Sequence, residues 1–263
     1  MKVFTLANQK GGVGKSAVAT QFSYFCVDKR LLRVLFIDGD HQGNSSKAIA
    51  KSGFFDIASF TAADIFEGNV GIVTGGGSVL VKSSPELAKL EKFGEKHNSY
   101  ATNLNAFLDS VSGMFDLCII DTNPNPDIRL TAALVLSDFV LSPIVLNQEA
   151  IDGIGALSQN IANIRAKMNN KLHMIGLLPN IVENKPFQQN NLKEIIKNYP
   201  SLLMKMGNAK FALIPNRTAI PEAQANGEPI WKSKKSSSRQ ATKDILPVFE
   251  RLCEVMDLQG EVQ

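Results

Sequence analysis

Seven consecutive residues constrain this chain more than any others: Lys10-Gly11-Gly12-Val13-Gly14-Lys15-Ser16, set between an apolar run at residues 3–7 and a helix-forming stretch at residues 17–24. Residues 3–7 read as a buried strand. Glycines at positions 11, 12 and 14 let the backbone wrap an anion without side-chain clash, and a helix starting directly behind them adds its positive end. This is the pattern of a phosphate-binding loop. Lys15 is placed to reach the β- and γ-phosphates of a nucleotide and the Ser16 hydroxyl to ligate Mg²⁺, while Gly11, Gly12, Val13, Gly14 and Ala17 complete the cradle. The ordinary pattern carries a further glycine where this chain has Gln9, and this chain has a second lysine, Lys10, instead.

The rest of the chain is built to enclose such a loop. Its 263 residues, 44% of them hydrophobic, suffice for a large core, and a single α/β domain over 1–263 is the simplest reading. Strand signals recur at residues 3–7, 34–38, 117–121, 139–143 and 173–179, separated by helical patterns such as 149–169 and 190–199. That alternation predicts a mostly parallel, twisted sheet with helices on both faces, the P-loop NTPase arrangement, with ligands at the carboxyl ends of the strands. Between residues 61 and 100 the pattern is less regular. Gly75-Gly76-Gly77 marks a turn before residues 78–82, and 85–92 and 100–112 read as helices of the same domain.

Composition also excludes some classes. Cys26, Cys118 and Cys253 are scattered and form no C-x-x-C pair, which argues against a zinc or iron–sulfur centre and for buried thiols in a reducing compartment. No apolar run approaches the ~20 residues of a membrane span, and residue 1 leads straight into the first strand without a leader. A cytoplasmic protein is expected. A net charge of +3 permits weak attraction to polyanions without requiring it, so local clustering decides.

Two segments supply carboxylates at strand ends. The second strand runs into Asp38-Gly39-Asp40-His41-Gln42-Gly43-Asn44, and the apolar Leu117-Cys118-Ile119-Ile120 ends in Asp121, a Walker B pattern whose acid orients Mg²⁺. His41 reads as a loop residue. After Asp121 comes Thr122-Asn123-Pro124-Asn125-Pro126-Asp127, a stiff turn in which either Asn123 or Asn125 could meet nucleotide.

With these motifs in place the chain resembles the deviant Walker A ATPases of the ParA/MinD group, and within it the ParA-type partition ATPases. The resemblance extends over nearly the whole length, including Ile220-Pro221-Glu222-Ala223-Gln224-Ala225-Asn226-Gly227. It implies that Lys10 reaches the phosphates of a partner subunit's ATP in a sandwich homodimer formed on ATP binding. It also implies that Asp40 positions or deprotonates the attacking water and that Asp38 supports the Mg²⁺ shell or the loop lysine. Catalysis is thus expected from Lys10, Lys15 and Asp40, and Mg²⁺ binding from Ser16, Asp38 and Asp121, with ATP and Mg²⁺ as cofactors. Gly39 and His41 stand where the family more often has Leu and Pro.

Base recognition in the family comes from late loops. Here residues 178–180 and 213–217 each follow an expected strand and offer Asn180, whose amide both donates and accepts, and Pro215. On the residues alone both are equally well ordinary strand-exit turns. The densest basic stretch follows, with Lys232, Lys234, Lys235, Arg239 and Lys243 between residues 231 and 243. By itself it reads as a solvated face. The resemblance implies salt-sensitive, nonspecific binding of double-stranded DNA by these residues in the ATP state, hence a nucleoid-associated protein.

The last helix, residues 245–256, carries more acid than base, so it reads as core packing and not as the membrane-binding tail of MinD-like proteins. No membrane partner is expected. Nitrogenase-type reductases need cluster cysteines, and tyrosine autokinases a tyrosine-rich tail; the chain has neither. It opens without a helix-turn-helix, as do the smaller partition ATPases, so a ParB-type centromere-binding protein is the expected partner that stimulates hydrolysis. Positioning of another cargo, such as a chemoreceptor array or a microcompartment, is the alternative, followed by a MinD-like regulator and by a small-molecule ligase or kinase.

Overall fold

The computed structural model describes residues 1–92, 94–207 and 210–260. Chain order begins β1 (Lys2–Leu6), α1 (Lys15–Arg30), β2 (Val34–Asp38), α2 (Asn44–Ile49), β3 (Phe55–Thr61), α3 (Ala62–Glu67), β4 (Ser78–Lys82), α4 (His97–Val111) and β5 (Leu117–Asp121). It continues through α5 (Ile128–Leu136), β6 (Phe139–Ile144), α6 (Gln148–Lys167), β7 (His173–Pro179), α7 (Pro186–Asn198), α8 (Ala219–Asn226) and α9 (Ser236–Val255). Short 3₁₀ turns occupy Pro85–Lys92, Gly94–Lys96 and Ile230–Lys232.

All pairs between these strands are parallel, in the order β3-β4-β2-β5-β1-β6-β7. Parallel neighbours need crossover connections, and the helices that make them cover both faces. Alternation along each strand divides the core. Phe4, Leu6, Phe36, Ile119 and Leu141 face α1, α8 and α9, whereas Val3, Leu35, Ile37, Cys118 and Ile120 face α3 and α4, and Val140 and Ile144 face α5 and α6. On the first face Phe22 of α1 is fully buried, edge-on to Phe4 at 5.6 Å and tilted against Phe249 of α9 at 5.4 Å. Truncating it would cost about 3–5 kcal/mol. Strand order reverses about β1, which lies between β5 and β6, so a crevice opens at the carboxyl end of β1.

Several elements differ from the sequence expectation. Phe55–Thr61 is an edge strand that the sequence reading leaves unassigned; its outer edge has no strand partner among the described residues, and its residues alternate imperfectly between buried and exposed. Pro85–Lys92 is 3₁₀, and the next helix starts at His97. Residues 213–217 do not follow a strand: that segment lies beside the end of β7, joined by the isolated bridge Val182 to Pro215 and by backbone bonds from Ile214 N–H to the Pro179 carbonyl, Val182 N–H to the Ile214 carbonyl and Asn216 N–H to the Val182 carbonyl. The acidic last helix is the end of a longer α9, whose buried residues include Ile245, Val248, Phe249 and Leu252. Among the described residues no helix is long and apolar enough to cross a membrane.

Candidate active site

The loop between β1 and α1 is held from below by a buried asparagine. Asn8 donates through Nδ2 to the Pro143 carbonyl of β6 at 2.7 Å and accepts the Lys10 N–H at 2.8 Å. Its carbonyl accepts from Lys15 Nζ at 3.2 Å, which turns that side chain back along the loop. Gly12 and Gly14 have φ of 71° and 82°, a left-handed backbone that residues with a Cβ rarely adopt. At Gly14 a Cβ would lie 2.3 Å from Asn180 Nδ2, whereas above Gly11 and Gly12 the space is open. Burial lowers the Lys15 ammonium from its usual value, while Asp121 and Asp40 act against that. Lys10 behaves differently: its side chain is half exposed and its Nζ lies 3.8 Å from Glu149 on α6.

The carboxylates are set by adjacent strands. Asp38 and Asp121 end β2 and β5 in direct register and both are fully buried. Tandem serines at the start of α2 engage one each. Ser45 Oγ donates to Asp121 Oδ2 at 2.6 Å, and Ser46 donates its hydroxyl and N–H to Asp38 Oδ2 at 2.6 and 2.7 Å. Asp38 also accepts the Asp40 N–H at 3.2 Å, so it fixes the loop bearing Asp40. Burial first, and Asp121 second, push the Asp38 carboxyl up to about 7. Asp121 is raised by burial too, against the hydrogen bond from Ser45 and the nearby Ser16 hydroxyl, and its Oδ1 has no hydrogen-bond partner among the described residues. That buried, unspent oxygen beside the Ser16 hydroxyl fits one hard cation with few protein ligands.

Asp40 lines a cavity of about 440 Å³ with Gly11 to Ala17, Asn44 and Pro124. It continues past Gly14, Ser16 and Ala17 into a more apolar cavity of about 560 Å³ walled by Asn180, Ile214, Pro215, Ile220 and Gln224. Asn180, 5% exposed, donates Nδ2 to the Val13 carbonyl at 2.8 Å. Gln224 donates to Thr20 Oγ1 at 3.2 Å, tying the wall of the larger cavity to α1.

The chain around this crevice is similar to known proteins. Residues 1–174 match the family model described as an AAA domain. The chain is 33% identical to Protein IncC of Escherichia coli, over 98% of this chain and 71% of that protein. It is 26% identical to the chromosome-partitioning ATPase Soj of Thermus thermophilus, over 86% and 85%. The chain belongs to the ParA-type partition ATPase family. Its fold is the single-domain P-loop NTPase α/β fold: it superposes on the ATP complex of Cyanothece McdA with a TM-score of 0.78 at 20% identity, covering 100% of this chain and 99% of that one.

In this ParA-type ATPase the basic stretch occupies the Ile230–Lys232 turn and the first two turns of α9, and its lysines and arginine line neither cavity, although Ile245 further along α9 lines the larger one. Lys232 is paired with Asp28 at 2.7 Å and lies over the Phe54 ring at 4.5 Å, and Lys235 is paired with Glu222 at 2.7 Å. Burial alone would raise the Asp28 carboxyl, but bonds from Lys232 and Trp231 hold it below its ordinary value. Lys234, Arg239 and Lys243 are exposed. The structure thus brings together the loop, Asp38, Asp40, Asp121, Asn180 and Pro215, while Lys232, Lys234, Lys235, Arg239 and Lys243 line neither cavity. Sequence reasoning missed Asn8, Ser45 and Ser46 of this family member. The tandem serines after Gly43 are visible as helix-start residues, but nothing local names their long-range acceptors.

Proposed function

We propose that this chain hydrolyses ATP with Mg²⁺, pairs with a second copy when ATP is bound, and in that state holds nonspecific double-stranded DNA as part of a partition system. The observation that carries this reading is the division of labour between two lysines on one loop. Lys15 is buried and turned inward to the loop, whereas Lys10 is exposed, beside Glu149 on the surface. An exposed pair of this kind contributes under about 1 kcal/mol, so it yields readily to a polyphosphate presented by another subunit.

Within one subunit the roles divide by position. Gly11 to Ala17 cradle the phosphates, Lys15 neutralises their charge, and Asp40 on the cavity wall orients or deprotonates the attacking water. Ser16 and Asp121 would hold Mg²⁺, with Asp38 fixing the surrounding loops. When bound, the ion supplies charge neutralisation on the phosphate oxygens. Asn180 and Pro215 would border the base in the apolar cavity.

Lys234, Arg239 and Lys243, with Lys232 and Lys235 at their edge, suit phosphate contacts that read no sequence. Doubling the patch in a dimer raises effective concentration at the second site, which makes DNA retention follow the nucleotide. A ParB-type centromere-binding protein that stimulates hydrolysis completes the cycle, at the nucleoid. The test is solution mass and turnover of the purified protein with no nucleotide, ADP, ATP and a slowly hydrolysed analogue, with and without DNA. A dimer with triphosphate alone, and turnover raised by DNA together with the partner protein, supports the reading. A monomer in every state refutes it.

A further inference from the structure

The turn after Asp121 contains a buried ionic unit that the roles above do not use. Asp127 caps α5: its Oδ1 accepts the N–H groups of Arg129 and Leu130 at 3.0 and 3.3 Å. The capping is ordinary, and one oxygen is enough for it. The second oxygen, Oδ2, accepts Asn123 Nδ2 at 2.7 Å and Arg129 Nε at 2.9 Å, with Arg129 Nη2 in contact as well. All three side chains are nearly or fully buried, Asn123 at 0%, Arg129 at 4% and Asp127 at 6% exposure.

A helix cap needs no arginine, and a buried guanidinium is costly unless its partner is well placed. What the extra bonds add is a cross-link. Asn123 lies two residues beyond Asp121, and Thr122 between them donates to the Leu6 carbonyl of β1 at 2.7 Å. Of the three residues enclosed by the link, Pro124 walls the phosphate cavity together with Asp40 and Lys15. The end of β5, the turn and the start of α5 are therefore joined as one piece, with the turn's inner edge against the reaction space. Two polar atoms of the unit, Asn123 Oδ1 and Arg129 Nη1, are buried without a hydrogen-bond partner among the described residues.

Resting on the ATPase reading above, we propose that Arg129 is a positioning residue for hydrolysis, which acts through Asp127 and Asn123 to hold the Asn123–Pro124 turn against the phosphate cavity. It touches neither base nor phosphate in this reading. Its loss therefore lowers turnover and leaves nucleotide affinity in place, which a merely structural cap would not do.

The experiment compares the unaltered protein with Arg129→Lys, Asn123→Ala and the double variant in kcat, KM and the affinity for a slowly hydrolysed ATP analogue. Arg129→Lys retains the charge and loses the two-point bond, and Asn123→Ala cuts the link while leaving the ion pair intact, so a fold defect in one does not disable the test. The expected result is a fall in kcat of about tenfold or more in each single variant, analogue affinity within about twofold, and a double variant no worse than the lower single one, as for residues acting as a unit. Unchanged kcat in Asn123→Ala, or a loss of affinity that matches the loss of turnover, overturns the positioning role while the ATPase reading stands. Absence of turnover in the unaltered protein rejects both.

Discussion

The side-chain amide of Asn180 donates to the carbonyl of Val13 at 2.8 Å, so the end of β7 closes directly onto the phosphate loop near the start of the chain. The contact leaves room for hydrogen alone at Gly14, where a Cβ would meet that amide at 2.3 Å. Gly14→Ala is expected to abolish ATP binding. Removing the amide in Gly14→Ala/Asn180→Ala relieves the clash but leaves the left-handed φ, and so restores binding only in part. Asn180→Ala alone loses one buried hydrogen bond, about 1 kcal/mol, and weakens binding several-fold. Titration with a fluorescent nucleotide checks the order of the three.

Lys15 and Lys10 separate binding from association. Lys15→Ala removes a buried ammonium and should abolish nucleotide binding. Lys10→Ala should bind ATP within a few-fold of the unaltered protein and stay monomeric with the analogue. Light scattering with and without nucleotide reads both, and a normal dimer in Lys10→Ala contradicts the assigned role.

Asp40 lines the cavity, with His41 Nδ1 3.5 Å from its Oδ1, and so faces the space where water would attack. Asp40→Ala is expected to lower kcat by a factor of about 10² or more and to leave an ATP-bound dimer that persists. Turnover close to that of the unaltered protein would refute the role.

Stability should depend on pH through Asp38. Its carboxyl is pushed up to about 7, while an unfolded aspartate titrates near about 3.9. Between these values the folded protein keeps a proton that the unfolded chain has released, so stability is highest below the unfolded value and declines as pH rises through the folded one. In the metal-free protein Tm should fall between about pH 5 and 7.5, and Asp38→Asn should flatten that fall. Equal slopes in the two proteins would contradict it.

The basic stretch is expected to divide as well. Lys234→Ala, Arg239→Ala and Lys243→Ala together should weaken DNA retention and reduce its salt dependence, since each exposed cation released from phosphate lowers the slope by about one. Lys232→Ala should act mainly on stability, because it strips Asp28 of its ion pair. Retention unchanged in the triple variant places the DNA surface elsewhere.

Much of this site is legible in the sequence because its parts are local. The strand, glycines, lysine and hydroxyl of residues 3–16 are contiguous, and Asp38 and Asp121 each end an apolar run, which marks the carboxyl edge of the sheet. The register that sets those two acids side by side is a property of the sheet order and has no sequence signal. Neither do the pairings of Asn8 with Pro143 and Ser45 with Asp121, which join residues 135 and 76 positions apart. Phe55–Thr61 is hidden for a related reason: an edge strand buries too little to show a clean alternation.

The most direct test of the central claim is binding to random-sequence duplex DNA with no nucleotide, ADP, ATP and a slowly hydrolysed analogue, at two salt concentrations. Retention with the triphosphates alone, reduced at the higher salt, is the predicted result. Equal retention in every nucleotide state, or none in any, would contradict it.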